Sequence, residues 1–371
     1  VATTIIVEPA AGGHRFPYVR YIVDSVSADA DLLLLTSPEA AASVEFDYLL
    51  GDVTLRVDTS LSSFRPSTHE LAEAIARRCR SEDVDTVVLM DADAYLPTWW
   101  REARQAFRGL QRRPTISFLL TRYPPRVTLT DWHGWAHRVS KGLLALLAMA
   151  TRTLDLVATI SGHDDASRGL FVRRVRNPST ALAHARDRDQ IRAELGLPAH
   201  RTLIGILGAI SDDKNVPLVF AATQQLGADA DLVLAGRLEP SVATWVGDRT
   251  EADRRRVLVR DEFLSESEMD RFIAACDVIA VANNYNRPSA VMGKALAAGV
   301  PVVSAASTIR AHDLRNTGGG VDVALSADGL AGGFRTVLAG GYTGHRPDAK
   351  LGPPTPAELT AALLGSHAGS R

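Results

Sequence analysis

Short runs of almost wholly apolar residues recur along the chain, each followed by a longer stretch in which apolar residues return every three or four positions. That alternation predicts buried parallel strands joined by amphipathic helices. Thr3 to Val7 is the first such run. The turn from Ala10 to His14 leads into a helix with Pro17 in its first turn and Tyr18, Val19, Ile22, Val23 and Val26 on one face. A second strand falls at Leu32 to Leu35. Ser67-Thr68-His69-Glu70 has the spacing of a capping box and opens a helix through Leu71 and Ile75. The strand from Thr86 to Met90 then ends on Asp91-Ala92-Asp93, and Ile116 to Leu120 and Leu156 to Ile160 are further strands.

The rhythm restarts after Asn177-Pro178 and a charged helical stretch from Ala183 to Leu195. Strands are predicted at Leu203 to Leu207, Leu232 to Ala235, Val257 to Val259 and Val278 to Ala282, with another beginning at Pro301-Val302-Val303. A second capping box, Ser265 to Glu268, starts a helix running to Ala275, and the helix from Ser289 to Ala298 stops at Gly299. Gly318-Gly319-Gly320 reads as a flexible loop with no helix after it. Arg346 to Pro356 has the Pro and Gly content of a linker, and Thr355 caps a last short helix from Leu359 to Leu364. The expected organisation is α/β, two Rossmann-like domains in tandem over residues 1–178 and 179–345 with a cleft between them, followed by a linker and C-terminal tail over 346–371.

Composition agrees with two cores: the chain has 371 residues, more than one domain usually holds, and 46% of them are hydrophobic. A formal charge of −2 offers no basic field for tracking nucleic acid. The only cysteines, Cys79 and Cys276, lie far apart in helical patterns, so neither a disulfide framework nor a zinc cluster is indicated and a reducing cytoplasm is the expected compartment. The start carries no basic stretch followed by an apolar core, so no secretory signal is read there. The longest apolar run, Gly142 to Ala150, is too short to span a bilayer. Trp132, Trp135, Arg138 and Lys141 precede it, so Trp132 to Ala150 reads either as a helix packed in the first domain or as an amphipathic helix resting on the inner face of a membrane.

In open α/β sheets ligands bind beyond the carboxyl ends of the strands, where helix N-termini present free N–H groups. Three segments lie at such ends. Gly12-Gly13-His14 lets the backbone approach a phosphate or sugar, and His14 is an acid/base or sugar-contact candidate, although a tight turn with a bystander histidine has the same spacing. Gly208 to Asn215 follows the first strand of the second half, and Lys214 within it either reaches a diphosphate or solvates a loop beside Asp212 and Asp213. Tyr285 to Lys294 is a polar loop, containing Asn286 and Arg287, that enters a helix through Pro288 and Ser289, with the N–H groups of Ala290 and Val291 as donors.

The order and spacing of these segments resemble the donor domain of the family 4 retaining glycosyltransferases of the GT-B kind. The likeness runs through Gly208-Ala209-Ile210 with Lys214, Leu232-Val233-Leu234-Ala235-Gly236-Arg237, Phe272-Ile273-Ala274-Ala275-Cys276-Asp277-Val278 and Ala297-Ala298-Gly299-Val300-Pro301-Val302, and it covers roughly Arg201 to Ser304. It implies a nucleotide-sugar donor, UDP-sugar or GDP-sugar first, and no cofactor. Lys214 would contact the diphosphate, Ser289, Ala290 and Val291 would hold it, Arg260, Glu262 and Phe263 would flank the base, and Gly12 and Gly13 would face the diphosphate.

The chain also departs from that pattern. The arginine expected after the first glycine is Ala209, and the family's paired glutamates fall on Asn286 and Lys294. Lys294 can donate to ribose hydroxyls but not accept from them, and Asn286 can bond to the transferred sugar without charge. Asp91-Ala92-Asp93 imitates a metal-binding pair, but the tandem layout implies metal-independent chemistry, which leaves Asp91 and Asp93 as acceptor-side candidates. Arg122, at a strand exit, is a candidate clamp for an acceptor or leaving group. The leading expectation is transfer of a sugar, with retention, to a hydroxyl acceptor that is a glycan, a lipid-linked or a small molecule. The alternatives are a catalytically silent subunit binding a partner or nucleotide, and a nucleotide-sugar 2-epimerase.

Overall fold

The structure is a computed structural model that describes residues 2–12, 15–123, 127, 132–162, 171–178, 188–286, 288–340 and 355–365. Two compact units divide it: the described parts of Val1–Ser161, Asp165–Asn177 and Thr355–Arg371 form the first, and those of Gly162–Asp164 and Pro178–Pro354 the second. The last helix, Pro356–Leu364, therefore packs within the first unit, although the sequence reading groups 346–371 apart. Leu359 and Leu363 are buried there, and Arg176 donates to Glu358.

The first unit carries strands β1 (Thr3–Val7), β2 (Leu32–Leu35), β3 (Arg56–Asp58), β4 (Val84–Leu89), β5 (Thr115–Leu120), β6 (Leu156–Gly162) and β7 (Arg173–Arg176). They form one sheet in the order β3-β2-β1-β4-β5-β6-β7, parallel from β3 to β6. The second unit carries β8 (Thr202–Leu207), β9 (Ala230–Ala235), β10 (Val257–Arg260), β11 (Val278–Val281), β12 (Val302–Ala305) and β13 (Gly320–Val323), a parallel sheet ordered β10-β9-β8-β11-β12-β13. Counted within its own unit, each sheet has its first strand beside its fourth, the doubly wound order of a Rossmann-like domain. The tandem α/β reading is borne out.

Strands such as Leu32–Leu35 and Ala230–Ala235 are buried at every position, as a sheet covered on both faces requires. The helix starts follow the predicted caps. Ser265 and Glu268 complete a reciprocal capping box at the head of Glu266–Ala275. Ser67 accepts from the Glu70 N–H, but the Glu70 carboxylate turns away to Ser62, so that box is half made. The Gly318 run is not a loop without a following helix. Gly318 closes the helix Thr308–Thr317 at φ 72°, a conformation open to glycine, Gly320 begins β13, and Ala327–Gly340 is a helix.

Candidate functional site

In the second unit β8 and β11 are neighbours whose onward connections run to opposite sides of the sheet, so their carboxyl ends form the topological switch point. β8 leaves the sheet at Gly208, whose φ is +89°, and passes against Gly236 at the end of β9. A Cβ on Gly236 would lie 2.0 Å from the Gly208 carbonyl oxygen, so only glycine permits this crossing. The turn that follows brings Lys214 back over the strand end, where its ammonium donates to the Leu207 carbonyl. Burial pushes the Lys214 pKa down to about 8, with Asp213 opposing the shift.

Two loops are tied together beside that ammonium. Asn215, in the left-handed region at φ 52°, donates to the Ala282 carbonyl at 2.6 Å and to Asn284 Oδ1 at 2.9 Å. Asn283 donates to Asp213 Oδ2 at 3.2 Å. Beneath the loop lies Arg310, fully buried, whose guanidinium donates to the carbonyls of Asn283 at 3.0 Å, Tyr285 at 2.9 Å and Ala305 at 2.8 Å. Burial lowers the Arg310 pKa from its ordinary value. The segment after β11 is thus held by neutral amides from one side and a buried cation from below.

This loop feeds the helix Ala290–Ala297. Ser289 Oγ accepts the Met292 N–H at 3.2 Å, so the first N–H groups of the helix, those of Ala290 and Val291, have no partner in the helical ladder. Asn286 and Lys294 have internal partners. Asn286 Oδ1 accepts from Ser307 Oγ at 2.9 Å and from the Ile309 N–H at 3.2 Å, at the head of the helix Thr308–Thr317. Lys294 Nζ lies 2.8 Å from Glu266 and 2.7 Å from Asp270. Burial works against the Lys294 charge, but the two carboxylates outweigh it and hold its pKa above the ordinary lysine value. Arg260, the last residue of β10, pairs with Glu262 next to an exposed Phe263. Arg287 lies outside the described residues.

In the first unit the equivalent place is the carboxyl end of β1 and β4. Arg15 donates to the Gly12 carbonyl at 3.1 Å, pairs with Asp91 at 3.0 Å and lies 3.4 Å from Glu8. Asp91 also accepts from Thr121 Oγ1, and its φ of 43° is a strained conformation for a residue with a side chain. Asp93 is spent differently, accepting the N–H groups of Thr121 and Arg122 and pairing with Lys141. The Arg122 side chain is exposed while its backbone is pinned by Asp93 and Lys141. Among the described residues no group of three His, Cys, Asp or Glu side chains is arranged to hold a metal. Gly13 and His14 lie outside the described residues.

The contributors that escaped the sequence reading include Glu8, Arg15, Asn283 and Arg310, while Asn215 stood in a candidate segment with no role given to it. Glu8 sits one residue past β1, 1% exposed, with Oε1 accepting the Ala10 N–H and Oε2 without a hydrogen-bond partner among the described residues. Burial pushes its pKa up to about 8, Ala10 and Arg15 pulling the other way. Its one sequence signal was a carboxylate at the end of an apolar strand, ahead of a glycine pair.

With that geometry in place, likeness to solved proteins decides the fold. HepE from Anabaena, solved with UDP-glucose, superposes with a TM-score of 0.63 over 97% of this chain and 94% of that one, at 16% identity. The sucrose-phosphate synthase of Thermosynechococcus elongatus gives 0.61 over 98% and 95%, also at 16% identity. The chain has the GT-B fold. That GT-B likeness extends to a protein described as a UDP-N-acetylglucosamine 2-epimerase from Listeria monocytogenes, with a TM-score of 0.61 at 14% identity over 97% and 93%. In sequence, the chain is 30% identical over 166 residues to the D-inositol 3-phosphate glycosyltransferase of Mycobacterium tuberculosis and Mycobacterium bovis, 44% of this chain and 32% of that protein. The chain thus matches about a third of the length of these curated relatives. No family model matches the chain.

Proposed function

We propose that this GT-B chain is a glycosyltransferase whose second unit binds a nucleotide diphosphate sugar at the carboxyl ends of β8 and β11. The observation that carries the reading is the Lys214 ammonium, folded over Gly208 at the switch point beside two cross-tied loops. In that role Lys214, the Ser289 hydroxyl and the N–H groups of Ala290 and Val291 stabilise charge growing on the departing diphosphate. Phe263 supplies an exposed ring for the base. A UDP-sugar is the first donor to test, because HepE is solved with UDP-glucose and the curated relatives are named as glycosyltransferases. The sugar passes, with retention and without a metal, to a hydroxyl acceptor on the first unit, where Asp91 serves the acceptor and Asp93 shapes the strand exit. Contact with a membrane through Trp132–Ala150 accompanies acceptor capture, with a cytoplasmic chain on the inner face.

A second reading, a silent nucleotide-binding subunit, draws on the internal engagement of Asn286 and Lys294. Thermal shift with UDP, GDP, ADP, dTDP and their sugars, followed by assays of donor hydrolysis, separates the two. Turnover excludes the silent subunit; stabilisation without turnover favours it; no stabilisation by any nucleotide counts against both. Loss of a sugar's C2 configuration in the absence of acceptor would instead favour an epimerase.

A further inference from the structure

A diphosphate carries more than one negative charge, whereas Lys214 offers a single positive one that burial weakens. Other cations near the strand ends of the second unit are engaged inside the protein. Lys294 lies between Glu266 and Asp270, Arg260 pairs with Glu262, and the Arg310 guanidinium is spread over backbone carbonyls. Arg237 differs from these. It is exposed, two residues past β9, and its guanidinium makes no hydrogen bond or ion pair among the described residues.

The pairing of β8 with β9 fixes where this arginine stands. Leu207 is level with Ala235 and Ile210 with Leu238, so Arg237 is level with Ala209, which sets only a methyl group beside it. The Ile210 N–H donates to the Arg237 carbonyl at 2.8 Å and the Glu239 N–H to the Ile210 carbonyl at 2.9 Å. The Arg237 backbone is thereby tied to the segment that runs from Gly208 to Lys214. Gly236, the residue before it, is the one pressed against Gly208, and a Cβ on Gly208 would lie 3.7 Å from Lys214 Nζ. Two cations thus flank one turn, Lys214 folded over Gly208 and Arg237 on the neighbouring strand end. The carboxylates on these segments leave the guanidinium uncancelled: Asp261 accepts the Leu238 N–H at 2.8 Å, Glu262 pairs with Arg260, and neither these nor Glu239 forms an ion pair with Arg237.

We propose that Arg237 is a second phosphate-binding residue of the donor site, its guanidinium sharing the diphosphate with the Lys214 ammonium. The inference rests on the donor reading above and adds to it a residue from the end of β9. A guanidinium meets two phosphate oxygens at once and keeps its charge where a buried lysine loses it, so Arg237 supplies the part of the countercharge that does not vary with pH.

Calorimetry of the full chain with UDP, GDP, ADP and dTDP at pH 7 finds the nucleoside diphosphate that binds most tightly, and the variants are titrated with that nucleotide, alone and in competition with inorganic pyrophosphate. Arg237→Ala should weaken the nucleotide about tenfold, weaken pyrophosphate to a similar degree and flatten the salt dependence of binding. Arg237→Lys, which keeps the charge without the fork, should fall between the variant and the parent. Arg255→Ala removes the same charge from an exposed site just ahead of β10, at the opposite end of the sheet, and should change affinity by less than about twofold. Because Arg237 is exposed, its variants should unfold at the parent's temperature in the absence of nucleotide. A loss that spares pyrophosphate would place Arg237 at the base and overturn the proposal, as would an equal loss in Arg255→Ala. Affinity unchanged in Arg237→Ala but reduced in Lys214→Ala overturns this proposal and leaves the donor reading standing. A parent chain that binds none of the four nucleotides overturns both.

Discussion

The two switch points occupy the same place in the two sheets and are furnished in opposite ways. At the end of β8 and β11 the fixing groups are carboxamides, one of them bonded to the Asp213 carboxylate, and a buried arginine, and the cation nearest the strand end, Lys214, donates to one backbone carbonyl. At the end of β1 and β4 charge meets charge: Arg15 pairs with Asp91 and Lys141 with Asp93, while burial favours the uncharged form of the neighbouring Glu8 carboxyl. A site whose cation is held by a neutral acceptor can exchange that acceptor for an anion at small cost. A site whose charges already cancel has more to offer a neutral hydroxyl group. Under the proposed function, this contrast assigns the diphosphate to the second unit and an uncharged acceptor to the first.

The largest expected effect breaks the frame of the second site. Arg310→Ala leaves the Asn283, Tyr285 and Ala305 carbonyls without their donor and opens a cavity, which should cost about 3–5 kcal/mol in urea unfolding. A loss below about 1 kcal/mol would mean that the loop holds itself, and the contrast with the first unit would weaken.

Next comes Glu8, the member of the first site with an unmatched oxygen. Its pKa is raised in the folded chain, so its carboxyl favours folding in acid, and that contribution is lost as pH rises from its unfolded value near 4.5 through about 8. Glu8→Gln should remove this slope and leave the chain roughly 1–3 kcal/mol more stable than the parent at pH 8.5, by urea titration at pH 5 and pH 8.5. Equal slopes in the two proteins would place Glu8 in a charged pair with Arg15 throughout. The smallest effect sharpens the helix start: Ser289→Ala should cost about 1 kcal/mol through its lost cap and weaken nucleotide binding several-fold.

How much of this was legible depends on whether a residue acts within its own element. Apolar runs marked the buried strands, and Ser265, Ser289 and Thr355 marked helix starts, because strand burial and caps are written within a few residues. The edge strands Arg56–Asp58 and Gly320–Val323 were not legible, since an edge carries polar residues or glycine. The helix Thr308–Thr317 was hidden because Arg310 and Asp313 are among the residues it buries, which breaks the apolar period. Lys214 was readable from its position after a strand. The pairing of Lys294 with Glu266 and Asp270 was not, because it joins two helices that only the fold brings together.

The central claim, a diphosphate site built on Lys214, is tested most directly by titrating UDP-glucose into the chain and into Lys214→Ala by calorimetry at pH 7 and pH 9. Because the free ammonium loses its proton near pH 8 and a diphosphate favours the charged form, the parent should bind about tenfold more weakly at pH 9 than at pH 7. Lys214→Ala should bind about 10- to 100-fold more weakly at pH 7 and lose that pH dependence. Affinity that is the same in both proteins at both pH values would contradict the account.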